Sequence, residues 1–266
     1  MEILVDAKGC NMAAVRNRPI AKILIGLVGV VVGLFLGKMA FQAFENRPGK
    51  LEAEFETAVQ NDPAMGTMFQ AFRQYFPTDY AALKAEMVAQ HRAGATPASL
   101  NMLGFNRMAV FRKAHIRELA LAPSAELQAF RKSQAALING LAAESPTLCA
   151  QYTFATIKPG TTPSPKVQKL LADIGAAQFR AIAAGQKTPA KREIDTLSRA
   201  DSEALVAQMK RAGLSDRQLA AFLDGSGARA LSETDQCRTG VILTQALDGL
   251  PADQAERVLA FMTAHS

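Results

Sequence analysis

The sequence contains no tryptophan, and only three cysteines and three histidines stand among its 266 residues. Three cysteines are too few for a small disulfide-rich scaffold. The cysteines and histidines also lack the Cys-x-x-Cys, His-Glu-x-x-His and Glu-x-x-His spacings that hold metals. The glycines form neither a phosphate-binding loop, a dinucleotide fingerprint nor a Gly-x-Ser-x-Gly elbow. We therefore expect no metal, no cofactor and none of the enzyme activities that those motifs support.

The composition favours helices. Alanine accounts for 49 residues, and the apolar segments are rich in leucine, methionine and phenylalanine but poor in β-branched residues. The sequence therefore predicts an all-α protein. The net charge of +6 is the small difference between 30 basic and 24 acidic residues spread along the chain, so it does not indicate a nucleic-acid partner.

One apolar stretch, residues 20–41, is long enough to cross a bilayer. Residues 23–37 carry no charge, and Lys22 and Lys38 flank them. About 20 helical residues span a hydrocarbon core of about 30 Å, and terminal lysines reach the interfaces. We predict a transmembrane helix over residues 20–44. A cleaved secretory signal and a buried core helix remain as alternatives.

The charges around this stretch predict its orientation. Four basic residues precede the uncharged part of the stretch, Lys8, Arg16, Arg18 and Lys22, whereas the basic residues that follow it stand among several glutamates. Because basic residues near a span stay in the cytoplasm, we expect residues 1–19 to be cytoplasmic and residues 45–266 to lie outside it. In a bacterium this places the chain in the inner membrane, with its bulk in the periplasm.

Three glycines lie four residues apart within the predicted span, namely Gly29, Gly33 and Gly37. This spacing puts them on nearly one face of a helix, where backbones pack closely. It predicts a homodimer or docking on another membrane protein. The alternative is that glycine is simply common in membrane spans.

The cysteines fall on both sides of the predicted span, with Cys10 before it and Cys149 and Cys237 after it. We predict a disulfide between Cys149 and Cys237, which would stabilise the fold by about 4 kcal/mol on the chain-entropy model. The alternative is two buried, unlinked thiols.

Beyond the span, apolar residues recur with the helical period, which predicts about nine helices in residues 45–266. The stretch 158–165, with three prolines and a glycine, predicts a linker between lobes 45–157 and 166–266. A disulfide across it would make them one two-lobed domain. Thr188-Pro189, Ser215 with Gln218, and Ser232 are typical helix starts.

The segment 97–121 predicts one long helix with charges beside its apolar face. His115 and Glu118 are three residues apart and suited to pair, while Arg107 would lie over Phe111 or bind a carboxylate of another helix. The cluster indicates either an anion-binding or proton-sensitive pocket or a structural polar contact. Its other basic residues, Arg112, Lys113 and Arg117, should form a solvated face.

The pair Glu144-Ser145 resembles the Glu-Ser of lytic transglycosylases, which are helical enzymes that cleave peptidoglycan. The resemblance covers two residues. The Gly-Leu-Met-Gln element and the later Asn-containing motif of that family are absent, so we expect Glu144 to be a surface residue at a helix end.

Together these features predict a single-pass membrane protein that presents a helical protein-interaction module to the cell envelope and is not an enzyme. Two alternatives remain open. One is a hydrolase or lyase acting on a cell-wall or lipid-linked substrate, and the other is an envelope-anchored inhibitor or immunity protein.

Overall fold

The computed structural model describes residues 50–154, 163–224 and 230–266. Within these ranges the chain forms twelve α-helices and no β-strand, which confirms the all-α prediction. The helices are α1 (Lys50–Asn61), α2 (Gly66–Tyr75), α3 (Pro77–Arg92), α4 (Pro97–Ala114), α5 (Ile116–Ala120), α6 (Ser124–Glu144), α7 (Pro146–Thr153), α8 (Pro165–Lys187), α9 (Arg199–Arg211), α10 (Asp216–Asp224), α11 (Glu233–Asp248) and α12 (Ala252–Ala264).

The predicted membrane segment, residues 20–44, lies outside the described residues, and so do Cys10 and the glycines Gly29, Gly33 and Gly37. Among the helices of the described ranges, none combines the length and apolar character needed to cross a bilayer.

Two predicted helix starts have the expected caps. At α10, the Gln218 N–H donates to Ser215 Oγ at 3.3 Å and the Ser215 N–H donates to Gln218 Oε1 at 3.0 Å, which is a reciprocal capping box. At α11, Ser232 Oγ accepts from the Asp235 N–H at 3.1 Å. Local side-chain hydrogen bonding thus sets both boundaries, as the sequence predicts.

The prediction that Thr188-Pro189 begins a helix is wrong. Thr188 ends α8, where its N–H donates to the Ala184 carbonyl at 2.8 Å, and the next helix starts only at Arg199. The intervening segment is held instead by the end of α5, because the Ala190 N–H donates to the Leu121 carbonyl at 2.8 Å. Tertiary hydrogen bonds therefore replace helical ones here.

The described ranges contain more helices than the predicted nine, partly because the spacing of apolar residues does not reveal two helix boundaries. The segment predicted as one helix over residues 97–121 is divided at His115 into α4 and α5. In addition, α7 follows α6 directly, with Ser145 as its N-cap and Pro146 in its first turn.

The centre of the fold is α8, which packs against α2, α5 and α6. Its inward face is lined with alanine and glycine, so that neighbours approach closely; a Cβ on Gly175 would meet Met68 Cγ at 2.7 Å. One hydrophobic core includes Phe72, Phe130 and Phe179. The helix that follows the proline-rich stretch is thus buried against helices that precede it.

A disulfide joins Cys149 of α7 to Cys237 of α11, with their Cα atoms 5.0 Å apart, as predicted. Both cysteines are buried, at 0% and 6% exposure. The backbones are close as well, because a Cβ on Gly240 would lie 2.4 Å from Thr153 Oγ1. The bond therefore links two helices that already pack tightly.

Candidate functional site

The candidate site is built around the break between α4 and α5. His115 leaves helical geometry, with φ −116° and ψ 19°, and its N–H is shared between the carbonyls of Phe111 (3.2 Å) and Arg112 (3.1 Å). The break is a bend of one residue, because α5 begins at Ile116. The His115 side chain at this bend is half-buried.

The His115 ring is held from both sides. Its Nδ1 lies 3.4 Å from Glu118 Oε1 and 3.1 Å from Gln186 Nε2 of α8, and its ring centroid is 4.5 Å from that of Phe111. One Nδ1 cannot donate to the carboxylate and accept from the amide at once, so the tautomer selects between these bonds. The structure thus brings His115 and Glu118 together and adds Gln186, which the sequence analysis missed.

Arg107 binds a carboxylate on another helix. Its Nε donates to Glu86 Oε2 at 2.5 Å and its Nη2 to Glu86 Oε1 at 2.8 Å, which is a bidentate pair between α4 and α3. The pair raises the pKa of Arg107, chiefly through the hydrogen bond to Glu86. Arg107 is therefore engaged at the surface and does not touch His115 or Glu118.

A cleft of about 440 Å³ lies between α3 and α4, and we call it the α3–α4 cleft. Aromatic rings, short alanine side chains and charged groups line it. Its lining residues are Phe72, Asp79, Ala82, Leu83, Glu86, Arg107, Met108, Val110, Phe111, Ala114 and His115. Arg107 and His115 thus share one cavity although they do not contact each other.

The apolar lining belongs to a wider aromatic cluster. Phe72 of α2 packs edge-on to Phe111 with ring centroids 5.2 Å apart and stacks on Phe179 of α8 at 4.7 Å. Such rings are fixed by their neighbours. Phe72 and Phe111 are only 2% and 8% exposed, so these rings form the packed base of the α3–α4 cleft. Phe72 comes from a helix that the sequence did not connect with the site.

A second cavity, of about 610 Å³, lies on the other side of the helix break. Glu118, Arg117 and Gln186 line it, and Ala114 lines both cavities. Arg117 is already paired with Asp195, at 2.7 and 3.2 Å. The members of the predicted polar cluster therefore divide between two cavities that meet at the His115 bend.

The prediction of a solvated face is wrong for Arg112. Its Nε and Nη1 atoms are buried and have no hydrogen-bond partner within the part of the chain that the structure describes. Burial lowers the pKa of this guanidinium. Lys113 and Arg117 are exposed as predicted. The Arg112 side chain therefore lies against other parts of the protein. The spacing of apolar residues along α4 does not reveal which helix packs at this position.

Glu144 has a structural partner rather than a catalytic setting. Its carboxylate accepts from the Ser164 N–H at 2.8 Å and from the Ser164 hydroxyl. Ser164 is in turn the N-cap of α8. Glu144 thus ties the end of α6 to the start of the central helix.

Two large apolar side chains stand out on the surface, and both belong to α4. Val110 is 63% exposed on the rim of the α3–α4 cleft, and Met102 is 57% exposed two turns earlier.

The described residues contain no group of three or more histidine, cysteine, aspartate or glutamate side chains suited to a metal ion. No family model, curated protein or solved structure matches the chain.

Proposed function

We propose that this chain is a single-pass membrane protein of the bacterial inner membrane, whose helical domain lies outside the cytoplasm and works by binding a partner protein at the α3–α4 cleft. The observation that carries the binding part is the exposure of Val110 on the rim of that cleft. The anchor is residues 20–44, with Gly29, Gly33 and Gly37 available for helix packing.

The disulfide supports the compartment. Disulfides persist in oxidising compartments such as the periplasm and are rare in the reducing cytoplasm. Cys149 and Cys237, which form one, both follow the apolar stretch, and the basic flank precedes it. Both features favour a cytoplasmic N-terminus and an external domain.

The surface of α4 supports a protein partner. Single exposed apolar residues are common and need no explanation. Here, however, Val110 borders a cleft whose base is packed aromatic side chains, and Met102 adds a second exposed apolar side chain on the same helix. A concave apolar site with a few polar groups at its rim is the usual form of a binding site.

Topology is tested by thiol labelling of intact cells with a membrane-impermeant reagent. Native Cys10 serves as the cytoplasmic reporter, and Arg180→Cys, at an exposed position of α8, as the external one. We expect labelling at position 180 before lysis and at Cys10 only after lysis, with the protein in the membrane fraction. Labelling of Cys10 alone, or recovery in the cytosol, overturns the proposal.

The binding surface is tested by placing a photo-crosslinking amino acid at Val110 in cells, with Arg180 as the matched exposed control. We expect a discrete adduct from position 110 only. Ala82→Leu, which fills the α3–α4 cleft from its exposed wall, should abolish that adduct without lowering protein levels. Equal crosslinking from both positions, or no effect of Ala82→Leu, overturns the assignment of the surface.

A further inference from the structure

We infer that the domain rests on the bilayer surface by one end, formed by the turn between α3 and α4 and the first turns of α4, with Met102 at the lipid–water interface. The surface that covers this end is the lipid of the membrane that holds the chain. The inference rests on the anchor of the proposed function, residues 20–44, and goes beyond it by naming a second membrane contact. Met102 then faces lipid, while Val110 stays available to the protein partner.

The first feature that carries the inference is the place where the proposed anchor joins the domain. The structure describes α1 from Lys50, so residues 45–49 alone lie between the anchor and α1. At about 3.5 Å per residue, the chain from residue 44 to residue 50 spans at most about 20 Å in any conformation. The first turn of α1 is therefore held within about 20 Å of the end of the anchor.

Two ion pairs show that the end of α3 lies beside this first turn. Glu52, in the first turn of α1, accepts from the Nη2 of Arg92, in the last turn of α3, at 2.8 Å. Glu56, one turn further along α1, accepts from the Nζ of Lys84 at 2.7 Å. The two helices thus run antiparallel, and α3 ends where α1 starts.

The start of α4 lies at the same end of the domain. α4 follows α3 after the turn formed by residues 93–96, and Arg107 of α4 donates to Glu86 of α3 at 2.5 Å. Because residue 107 is level with residue 86 in two antiparallel helices, Met102 is level with the last turn of α3. The turn and Met102 therefore lie at the end of the domain that the anchor joins.

The second feature is the lack of charge at this end. Residues 93–106 contain no acidic or basic side chain. Met102 is 57% exposed, although it is a large apolar side chain. The other exposed residues of the turn and of the first turn of α4 are small and uncharged, namely Ala93, Gly94, Thr96, Ala98 and Ser99. Such a surface enters the interface without removing water from an ion.

The third feature favours contact by this end over contact by the side of α3 and α4. The side carries the ion pair of Arg107 and Glu86, whose side chains are 54% and 29% exposed, and a bilayer laid over it would desolvate both charges. Val110 lies eight residues beyond Met102, which is about 12 Å along the helix. A bilayer that touches Met102 at the end of the domain therefore leaves the rim of the α3–α4 cleft in water.

A weak contact is enough for this arrangement. One methionine among small residues would bind a membrane poorly if the domain were free in solution. The short connection through residues 45–49 makes the contact an intramolecular step, with the high effective concentration that a short linker gives. The test must therefore use the full-length chain in a bilayer.

The test measures the depth of nitroxide spin labels on the full-length chain in nanodiscs of phosphatidylcholine and phosphatidylglycerol. Cys10→Ala removes one thiol, and the other two cysteines form the buried disulfide. The label is placed at Met102→Cys or, as the matched control, at Val110→Cys, which is similarly exposed on the same helix. Power-saturation EPR compares collisions with oxygen, which concentrates in lipid, and with a water-soluble nickel chelate. We expect the label at 102 to lie about 5–10 Å into the interface, as surface-bound helices do, and the label at 110 to stay in water.

A charge placed in the contact locates the effect. With the label at Ala98→Cys, which is also exposed, Met102→Asp should remove the contact with lipid, because a carboxylate is costly to bring out of water. Val110→Asp should leave that contact unchanged. Lipid contact at position 98 that survives Met102→Asp overturns the role of Met102.

The outcomes separate this inference from the proposed function. A chain that enters the nanodisc but keeps the label at 102 in water overturns the inference and leaves the anchor standing. Equal lipid contact at 102 and 110 overturns contact by the end, and it also removes Val110 from the protein partner. A chain that does not enter the nanodisc overturns the anchor, and the inference with it.

Discussion

Gly185 of α8 lies directly against the carbonyl oxygen of Glu118 in α5: a Cβ built on Gly185 would stand 1.9 Å from that oxygen and 2.8 Å from its carbon. The contact joins two backbones, so neither side has a flexible group that could move away. It holds α8 beside the bend at His115 and lets Gln186 reach the histidine ring. The geometry of the candidate site therefore depends on a residue with no side chain.

Gly185→Ala should lower the free energy of unfolding by about 3 kcal/mol or more, because the added methyl overpacks a rigid contact. Gly140→Ala is the matched control. Its Cβ would meet the Leu170 Cδ1 at 2.4 Å, which is the tip of a side chain that can rotate, and alanine improves helix propensity by about 1 kcal/mol. Urea unfolding measures both. Equal losses would show that the α5–α8 approach is not tighter than an ordinary helix contact.

Removal of the disulfide should destabilise the domain without unfolding it. The bond closes a separation of 88 residues, and such a loop is worth about 4 kcal/mol on the chain-entropy model. The double variant Cys149→Ala with Cys237→Ala should lose about 2–4 kcal/mol of unfolding free energy. Cys10→Ala should change nothing, and added reductant should destabilise the wild type and Cys10→Ala but not the double variant, because both of the former keep the disulfide. An unchanged urea midpoint in the double variant would contradict the prediction.

Much of the fold was predictable where the signal is local. The capping box of Ser215 and Gln218 and the cap at Ser232 depend on residues three apart, so the sequence contains them completely. The disulfide followed from the number and position of the cysteines. The end of α8 at Thr188 was missed because Leu121, which binds the next segment, is distant in sequence.

The candidate site was predictable only in part. The contact of His115 with Glu118 follows from helical spacing. Phe72, Asp79 and Gln186 come from other helices, and the pattern of one helix does not say which helix packs beside it. The inward position of Arg112 was missed for the same reason, since its sequence neighbours Lys113 and Arg117 are both exposed.

Acid should weaken the contact between α9 and α12. Asp201, 3% exposed, accepts from Arg257 Nε at 2.9 Å and Nη2 at 2.8 Å, and these hydrogen bonds hold the pKa of Asp201 below its usual value. A carboxyl with a lowered pKa contributes stability that is complete above the unfolded pKa of about 4 and is lost as the pH falls through the folded value.

Asp201→Asn should therefore cost about 2 kcal/mol of unfolding free energy near pH 7, and the difference from wild type should shrink as the pH falls towards 3. Urea unfolding over this pH range measures it. Asp173→Asn, which affects a surface pair with Lys169 at 3.2 Å, should change stability by less than about 1 kcal/mol. A difference between wild type and Asp201→Asn that does not depend on pH would contradict the assignment.

Two half-buried arginines should differ in their response to replacement by methionine. Arg192 donates to the Ala120 carbonyl at 3.2 Å and to Glu256. Arg192→Met leaves the half-buried Glu256 carboxylate without its charged partner, with only the Ser124 hydroxyl still donating to it, and should cost about 3 kcal/mol. Arg112 has two buried, unpartnered nitrogens within the described ranges. Arg112→Met removes that desolvated charge while keeping most of the apolar stem, so it should leave stability unchanged or raise it. Thermal unfolding compares the two, and a loss at Arg112 as large as that at Arg192 would mean that its guanidinium is bound.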